Sequence, residues 1–507
     1  MKKQLLILVL LTVQVVSLAG QDCYPRFMRE GKDAFEGGNF EKAKNSFEAA
    51  RICADRPAGD TEADQWLEKT INGYIAAIER ERKKAEDNAA QAGRNARVAE
   101  AGRLALLANN AMNQDSNEVA LALAFLAVET LPDNPDPSAR QTFAEAAYHQ
   151  TRQVIRPEEA QLKNGYFYNC AFSTDGSIMM AIAGADRLVL YDKNTSPASN
   201  WFVQLPVECT AAAISPVTRL VAVGGKDGSI HLLNTTNRTM STFYQRPGTV
   251  TSLAWSTQGE GLAAGYRDGS IVMLASENTV HAETAAHAAP VYGLAFSPDG
   301  SLLLSRSADM NVKLWNIELS KPVAIATGDV YPSHAVFPAN DQVLIAGADG
   351  QMALWDDEGQ NQRRLDKADR QICLTAFDRE KDRIMTVSTD HSVLVWNAQG
   401  QLLETVELSG EKIFGASLSA APPGYLVTCS AKELYLWEWQ KKSLALRLPV
   451  SESGITSVVL SPVGDRIAIV RQDGALELFE TPYFAFERLK TNPPVFSPEQ
   501  KIRYGIK

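Results

Sequence analysis

The chain has 507 residues, 45% hydrophobic and 22% charged, which excludes intrinsic disorder and leaves room for two or three domains. Its 50 basic and 60 acidic side chains give a formal charge of −10 and a pI near 5.3, which argues against nucleic acid as a partner. Six cysteines are too few for disulfides to be the main staple of a chain this long.

Residues 1–20, MKKQLLILVLLTVQVVSLAG, place two lysines before an apolar core from Leu5 to Val16, then small residues at Ser17 and Ala19. That is the order of a cleavable secretory signal. The core is short for a membrane span of about 20 residues and contains Gln14, so an anchor is the weaker reading. Loss of Lys2 and Lys3 with the leader takes the formal charge from −10 to −12. A lipid-bearing cysteine would have to follow Gly20 directly, where Gln21 stands. The expectation is an exported chain, in the periplasm or cell envelope or secreted, with no transmembrane segment in its mature part.

Residues 21–151 read as helical. In GKDAFEGGNFEKAKNSFEAARICADRP the small residues Gly31, Ala34, Ala43 and Ala50 alternate with Phe47, and Gly37-Gly38-Asn39 makes a turn. This spacing resembles a tetratricopeptide repeat, whose two antiparallel helices approach closely through small residues. An antiparallel hairpin sets the start of its first helix beside the end of its second, where Cys23 and Cys53 fall, so a disulfide between them is expected. From about Thr61 to Met112, Trp66, Ile71, Tyr74 and Ile78 form one stripe. A seam of Ala85, Ala89, Ala92, Ala96 and Ala99 follows in steps of four and three. Gly73, Gly93 and Gly102 each weaken this helix by about 1 kcal/mol, which leaves open whether it is continuous, kinked or broken. The seam packs within the chain or against another copy, giving helix-mediated self-association. Asp115 to Glu118 has capping-box spacing, Pro132, Pro135 and Pro137 end the helix it starts, and Ser138 with Gln141 caps the last one.

The stretch VYGLAFSPDGSLLLSRSADMNVKLWN, Val291 to Asn316, is a three-stranded meander: apolar runs separated by a Ser-Pro-Asp-Gly turn and an Ala308-Asp309 turn. Its Phe296 position recurs as Phe172, Ile214, Trp255, Phe337, Phe377, Leu418 and Leu460, at intervals of 40 to 42 residues. The second turn recurs as Asp186, Asp227, Asp268, Asp309, Asp349, Asp390 and Asp473. Leu233, Leu274, Trp315, Trp355, Trp396 and Phe479 close the third strands. A repeat of this length and order resembles the WD40 family, which implies a β-propeller over residues 152–490 with a tail at 491–507. Eight meanders favour eight blades; seven would need the irregular first or seventh unit to be something else. Gln153 to Arg156 could supply the outer strand of the last blade and close the ring. The fold class is therefore an α + β multidomain chain, a helical N-terminal region followed by a WD40-like propeller, and the order resembles a class of bacterial exported tetratricopeptide and WD40 proteins.

WD40 blades are buttressed by a Gly-His pair and a turn aspartate, and only Ala286-His287 approximates that pair. The turn acids are expected to act as structural turn formers without an imidazole partner. Of the six histidines, His149, His231, His281, His287, His334 and His391, none has metal-ligand spacing, and His281 and His287 read as solvated loop residues. Cys170, Cys209, Cys373 and Cys429 read as buried thiols. No nucleophile elbow, phosphate loop or calcium loop occurs, so no catalytic residue, metal or cofactor is assigned. The position four before Phe296 opens the inner strand and should face the channel mouth: Tyr168, Thr210, Thr251, Tyr292, Ser333, Cys373, Phe414 and Thr456. Tyr168, Tyr292 and Phe414, with Arg267 and Lys226 beside turn acids, are candidate partner-binding residues. The leading expectation is a non-enzymatic exported scaffold that binds other proteins. An accessory propeller in outer-membrane assembly is one alternative. An enzyme, quinoprotein-like from the Gly224 to Ser229 and Gln472 to Ala475 stretches or a metal-dependent hydrolase, is another.

Overall fold

The computed structural model describes residues 22–506 except 115, 132–134, 157–166, 184–185, 195–198, 276–278, 321, 327–330, 360–362, 366–371, 379–382, 391, 398, 408–411, 420 and 450–453. The expected leader, Asp115 and His391 lie outside the described residues, as do the side chains of Tyr168, Cys373 and Phe414. Two compact units divide between Ala99 and Glu100. The 151/152 boundary expected from sequence falls inside the second unit.

In the first unit, α1 (Cys23–Glu36) and α2 (Phe40–Arg51) form a hairpin whose close approach has a specific cause. A Cβ on Gly31 would sit 2.6 Å from the Phe47 ring, so glycine at that position lets the ring pass beneath the helix. Phe47 then stacks on Trp66 at 5.7 Å, the first turns of α3 (Glu62–Met112) completing the apolar cluster. Asn39 caps α2 by accepting from the Lys42 amide at 3.1 Å. Cys23 and Cys53 are bonded, with their Cα atoms 5.9 Å apart. The α3 helix runs unbroken through Gly73, Gly93 and Gly102, which answers the question of continuity that the sequence left open: packing at its ends outweighs about 1 kcal/mol per glycine.

The second unit contains α4 (Asn117–Glu129), α5 (Pro137–Thr151), α6 (Pro482–Thr491) and α7 (Pro498–Tyr504). Two caps differ from the sequence reading. Ser116 stands at the start of α4 without a side-chain cap bond, and α5 is capped by Asp136, which accepts from the Ser138 and Ala139 amides, not by Ser138. Pro137 at the first helical position favours that register. Within the stretch read as a tail, Pro498–Tyr504 is helical. Ser497 and Gln500 form a capping box on α7, and Phe486 of α6 packs against Phe125 and Phe143 at 5.2 and 5.7 Å.

Eight four-stranded antiparallel sheets make up the described β region, one blade per repeat. The inner strands are Phe167–Phe172, Cys209–Ile214, Val250–Trp255, Val291–Phe296, Pro332–Ala339, Ile372–Asp378, Ile413–Ser419 and Ile455–Leu460, for blades 1 to 8. The seven-blade alternative is thereby excluded. The core lies between blades: Ile178, Ile182 and Leu190 of blade 1 pack on Val221, Val223 and Leu233 of blade 2. Ala263 and Met273 of blade 3 pack on Leu303 and Trp315 of blade 4 in the same way. One meander cannot bury both faces alone, so each blade depends on its neighbours.

Blade 8 takes its outer strand from the start of the chain, with Gln153 opposite Leu478 and Ile155 opposite Leu476. The join is pinned by Glu477, fully buried, whose carboxylate accepts from Tyr148 at 3.1 Å and from Arg152 Nε at 3.0 Å. Arg471 pairs with the same carboxylate at 2.9 Å. Two guanidinium groups and a phenol compensate the desolvation of this one acid.

Candidate functional site at the turn face of the propeller

In every inner strand the register skips one residue, forming a β-bulge. The skipped residues are Tyr168, Thr210, Thr251, Tyr292, Ser333, Cys373, Phe414 and Thr456. The eight positions that sequence periodicity aligned are thus one structural position. A bulged residue is released from the ladder, so its side chain takes on other work. Thr210 donates to Val250 O of the next blade at 2.6 Å, and Thr251 donates to Val291 O at 2.6 Å. Thr210 and Thr251 therefore clip one blade to the next, whereas Thr456 donates to Val470 O of its own blade at 3.1 Å.

Blade 4 does this differently. Its bulge residue Tyr292 is 49% exposed, and the clip to blade 5 is made by Arg306, which donates to Pro332 O at 3.1 Å. Gly293 makes room for the substitute, since a Cβ there would lie 2.9 Å from Arg306 Nε. With the clip transferred, the Tyr292 ring is left at the surface.

The turn acids organise the same end of the blades. Asp227, Asp268, Asp309, Asp349, Asp390 and Asp473 each accept from the amide two residues on at 3.0 Å. Asp186 accepts from Gln204 Nε2 at 2.9 Å. The residue before the turn acid bonds back to the residue that precedes the inner strand: Lys226 N to Glu208 O, Arg267 N to Thr249 O and Ala308 N to Pro290 O. Arg267, Lys226 and the bulges therefore share one end of the propeller. Arg267 is exposed there, whereas Lys226 is paired with Glu208 at 2.8 Å.

After the acid four blades use glycine, because the chain turns left-handed: Gly228 and Gly269 at φ +87°, Gly350 at +84° and Gly474 at +80°. Blade 4 has Met310 at φ +66°, 45% exposed. A methionine in this conformation costs about 1–2 kcal/mol. Sequence reasoning missed Met310, although its replacement of a repeated glycine was the available signal. It stands in the same blade as Tyr292, giving two exposed apolar groups at one edge of the turn face.

The buttress is more complete than the sequence suggested. His287, read as solvated, is buried: Nδ1 donates to Asp309 at 3.0 Å, Nε2 accepts from Ser305 at 2.7 Å, and Ser305 accepts from Trp315 Nε1 at 2.8 Å. This tautomer follows from the network. Burial holds His287 below its ordinary histidine value, outweighing the pull of Asp309. Burial opposes the Asp309 charge, yet amides of Ala288 and Asn311 and the neighbouring His287 hold that carboxyl below its usual range. In blade 3 the turn acid has no imidazole partner, as expected, but a guanidinium takes that place. Arg246, one repeat before His287, reaches Asp268 at 2.9 Å, Ser270 at 2.8 Å and Glu283 at 2.8 Å, and lies over the Tyr266 ring. Blades 6 and 7 keep the end of the network, as Trp396 to Thr386 at 3.2 Å and Trp437 to Thr428 at 3.3 Å.

Residues 279–316, which contain His287, Ser305, Asp309 and Trp315, match the family model described as WD domain, G-beta repeat. That stretch, blade 4 with the outer strand before it, is similar to a WD40 repeat. A second match, to the Anaphase-promoting complex subunit 4 WD40 domain, covers residues 212–288. Telomerase protein component 1 of Mus musculus is 23% identical over 190 residues, and that of Rattus norvegicus 25% over 190 residues, 36% of this chain in each case. The chain spans 7% of the length of these relatives. Among solved structures, the computationally designed Ika8 protein superposes with a TM-score of 0.53 at 19% identity, covering 63% of this chain and 97% of that one. The C-terminal WD40 domain of Sif2 gives 0.50 at 18% identity, covering 56% and 83%. At these identities the likeness concerns the WD40 fold alone.

Outside the propeller, Cys23, Cys53 and Asp55 are the one cluster of metal-type ligands among the described residues, and both sulfurs are already in the disulfide. Cys170, Cys209 and Cys429 are buried thiols, and burial pushes Cys170 and Cys209 up to about 12, far from a reactive thiolate. No helix among the described residues is long and apolar enough to cross a membrane.

Proposed function

We propose that the chain is an exported, non-enzymatic scaffold whose WD40 propeller binds a protein partner through the turn face of blade 4. Tyr292 and Met310 are the apolar anchors, with Arg267 and Lys226 as flanking cations. The observation that carries this reading is the transfer of the inter-blade clip from the bulge to Arg306, which leaves Tyr292 exposed where Thr210 and Thr251 are tied down. An exposed aromatic beside an exposed methionine held in a costly conformation suits a docking surface better than a folding role. Tyr168 and Phe414 occupy the same bulge position in blades 1 and 7 and belong to the same proposal.

The N-terminal hairpin, read as tetratricopeptide-like, serves as a spacer in this proposal, and its Cys23–Cys53 bond suits an oxidising compartment such as the periplasm. The alanines of the α3 seam are exposed and offer a surface for self-association. Crosslinking and pull-down from the cell envelope with the full chain tests the reading. Tyr292→Ala combined with Met310→Gly is expected to lose a captured protein that the unaltered chain retains. An unchanged capture profile would sink the docking role.

A further inference from the structure

A cleft between blades 6 and 7 takes no part in the turn face. Arg383, Met385, Val395 and Glu404 of blade 6 line one wall; Leu418, Trp439 and Lys442 of blade 7 contribute to the other. Its volume is about 80 Å³. Sites for cofactors and drug-sized ligands run to about 300–1,000 Å³, so this cleft fits a single side chain and is too small for a cofactor.

The floor is apolar: Met385 and Val395 are buried and Leu418 and Trp439 are partly buried. The rim is charged. Lys442, in a left-handed turn at φ +52°, pairs with Glu404 across the cleft, so the acid there is already neutralised. Arg383 is exposed, and no ion pair among the described residues neutralises it. The cleft therefore offers an apolar hole beside an exposed cation that no described acid pairs. Leu402 and Leu444, two residues from Glu404 and from Lys442, are 40% and 41% exposed, which adds apolar surface on both blades next to the rim.

We propose that this inter-blade cleft is a second docking site, which takes one aliphatic or aromatic side chain of a partner polypeptide carrying a carboxylate beside that anchor. The proposal rests on the reading of the propeller as a protein-binding module, but uses a different surface from Tyr292. Burial of one such side chain supplies the attraction, and Arg383 selects the acidic neighbour over a basic one. Glu404, held by Lys442, does not repel it.

The test uses the full chain and three fluorescein-labelled Gly-Ser nonapeptides with Asp-Leu-Asp, Lys-Leu-Lys or Asp-Ser-Asp at the centre, read by fluorescence anisotropy. Asp-Leu-Asp is expected to bind at least about fivefold tighter than the other two. Arg383→Glu should remove that preference, and Gln440→Glu, which adds an anion to the exposed rim, should weaken Asp-Leu-Asp by a similar factor. Both sites are exposed, so an unchanged unfolding midpoint will confirm that the variants fold. Equal binding of the three peptides, no Asp-Leu-Asp binding at millimolar peptide, or indifference to Arg383→Glu overturns the cleft. Loss on Tyr292→Ala without loss on Arg383→Glu assigns the peptide to the turn face and overturns the cleft alone. Arg383-sensitive peptide binding, with envelope capture unaffected by Tyr292→Ala, overturns the turn face alone.

Discussion

Blades 3 and 4 solve one problem with different chemistry. Each must hold the turn acid of its third strand against the end of the preceding outer strand. Blade 4 uses His287, buried and neutral, in a closed relay from Trp315 through Ser305 to Asp309. Blade 3 uses Arg246, whose side chain is 18% exposed and shared between Asp268 and Glu283, each about half exposed. A repeat position therefore conserves the geometry of a contact more than the type of residue that makes it. A neutral buried relay draws on desolvated hydrogen bonds; a half-solvated ion pair draws on charge that water and salt can screen.

The comparison breaks most visibly on truncation. His287→Ala leaves Ser305 and Asp309 without their partner and should cost about 3 kcal/mol, read as a lowered denaturation midpoint. Arg246→Ala leaves its two acids partly solvated and should cost about 1–2 kcal/mol. Equal losses would mean that the two blades are buttressed alike.

Acid sharpens the contrast. Since His287 has a lowered value in the fold, the unfolded chain takes up the proton more readily. The stability it contributes is complete above the ordinary histidine value of about 6.5 and is lost as pH falls below it. Between pH 8 and pH 5 the unaltered protein should lose more stability than His287→Asn. Arg246→Ala should track the unaltered protein. Salt acts the other way. In double-mutant cycles the Arg246 and Asp268 coupling, about 0.5–1 kcal/mol at low ionic strength, should fall by roughly half in 1 M NaCl, while the His287 and Asp309 coupling stays constant. The smallest effect is expected at Met310. Replacement by glycine, the residue of blade 3 at this place, should raise the midpoint by up to about 1 kcal/mol.

Much of the fold was legible because it repeats. The aligned positions from Phe172 to Leu460 fall at or near the ends of the inner strands, since a meander of fixed length places its apolar runs at fixed intervals. Asp-Gly-Ser turns were legible for a local reason: the acid bonds an amide two residues away, and glycine takes the left-handed turn after it. What stayed hidden depends on partners 18 to 26 residues apart that obey no single residue type. Arg246 and Asp268, His287 and Ser305, and Arg306 and Pro332 are such pairs. The short helix Pro498–Tyr504 was missed because the apolar residues around it, such as Phe496, are few and join a core drawn largely from helices far away in sequence.

The closing strand of blade 8 imposes an order on the life of the molecule. Gln153 to Ile155 leave the ribosome early, but their partners Leu476 to Leu478 come last among the blades. At about 5–20 residues per second, Gln153 waits roughly 15 to 65 s for Leu478. Until then the growing arc has two open ends, each an unpaired strand edge that another chain could extend. Arg152 and Tyr148 wait with it for Glu477, so strand pairing and charge compensation arrive together, in one step that synthesis times. A stop codon anywhere before Leu476 would therefore yield an arc with open ends and Arg152 without its acid, a species for quality control to remove.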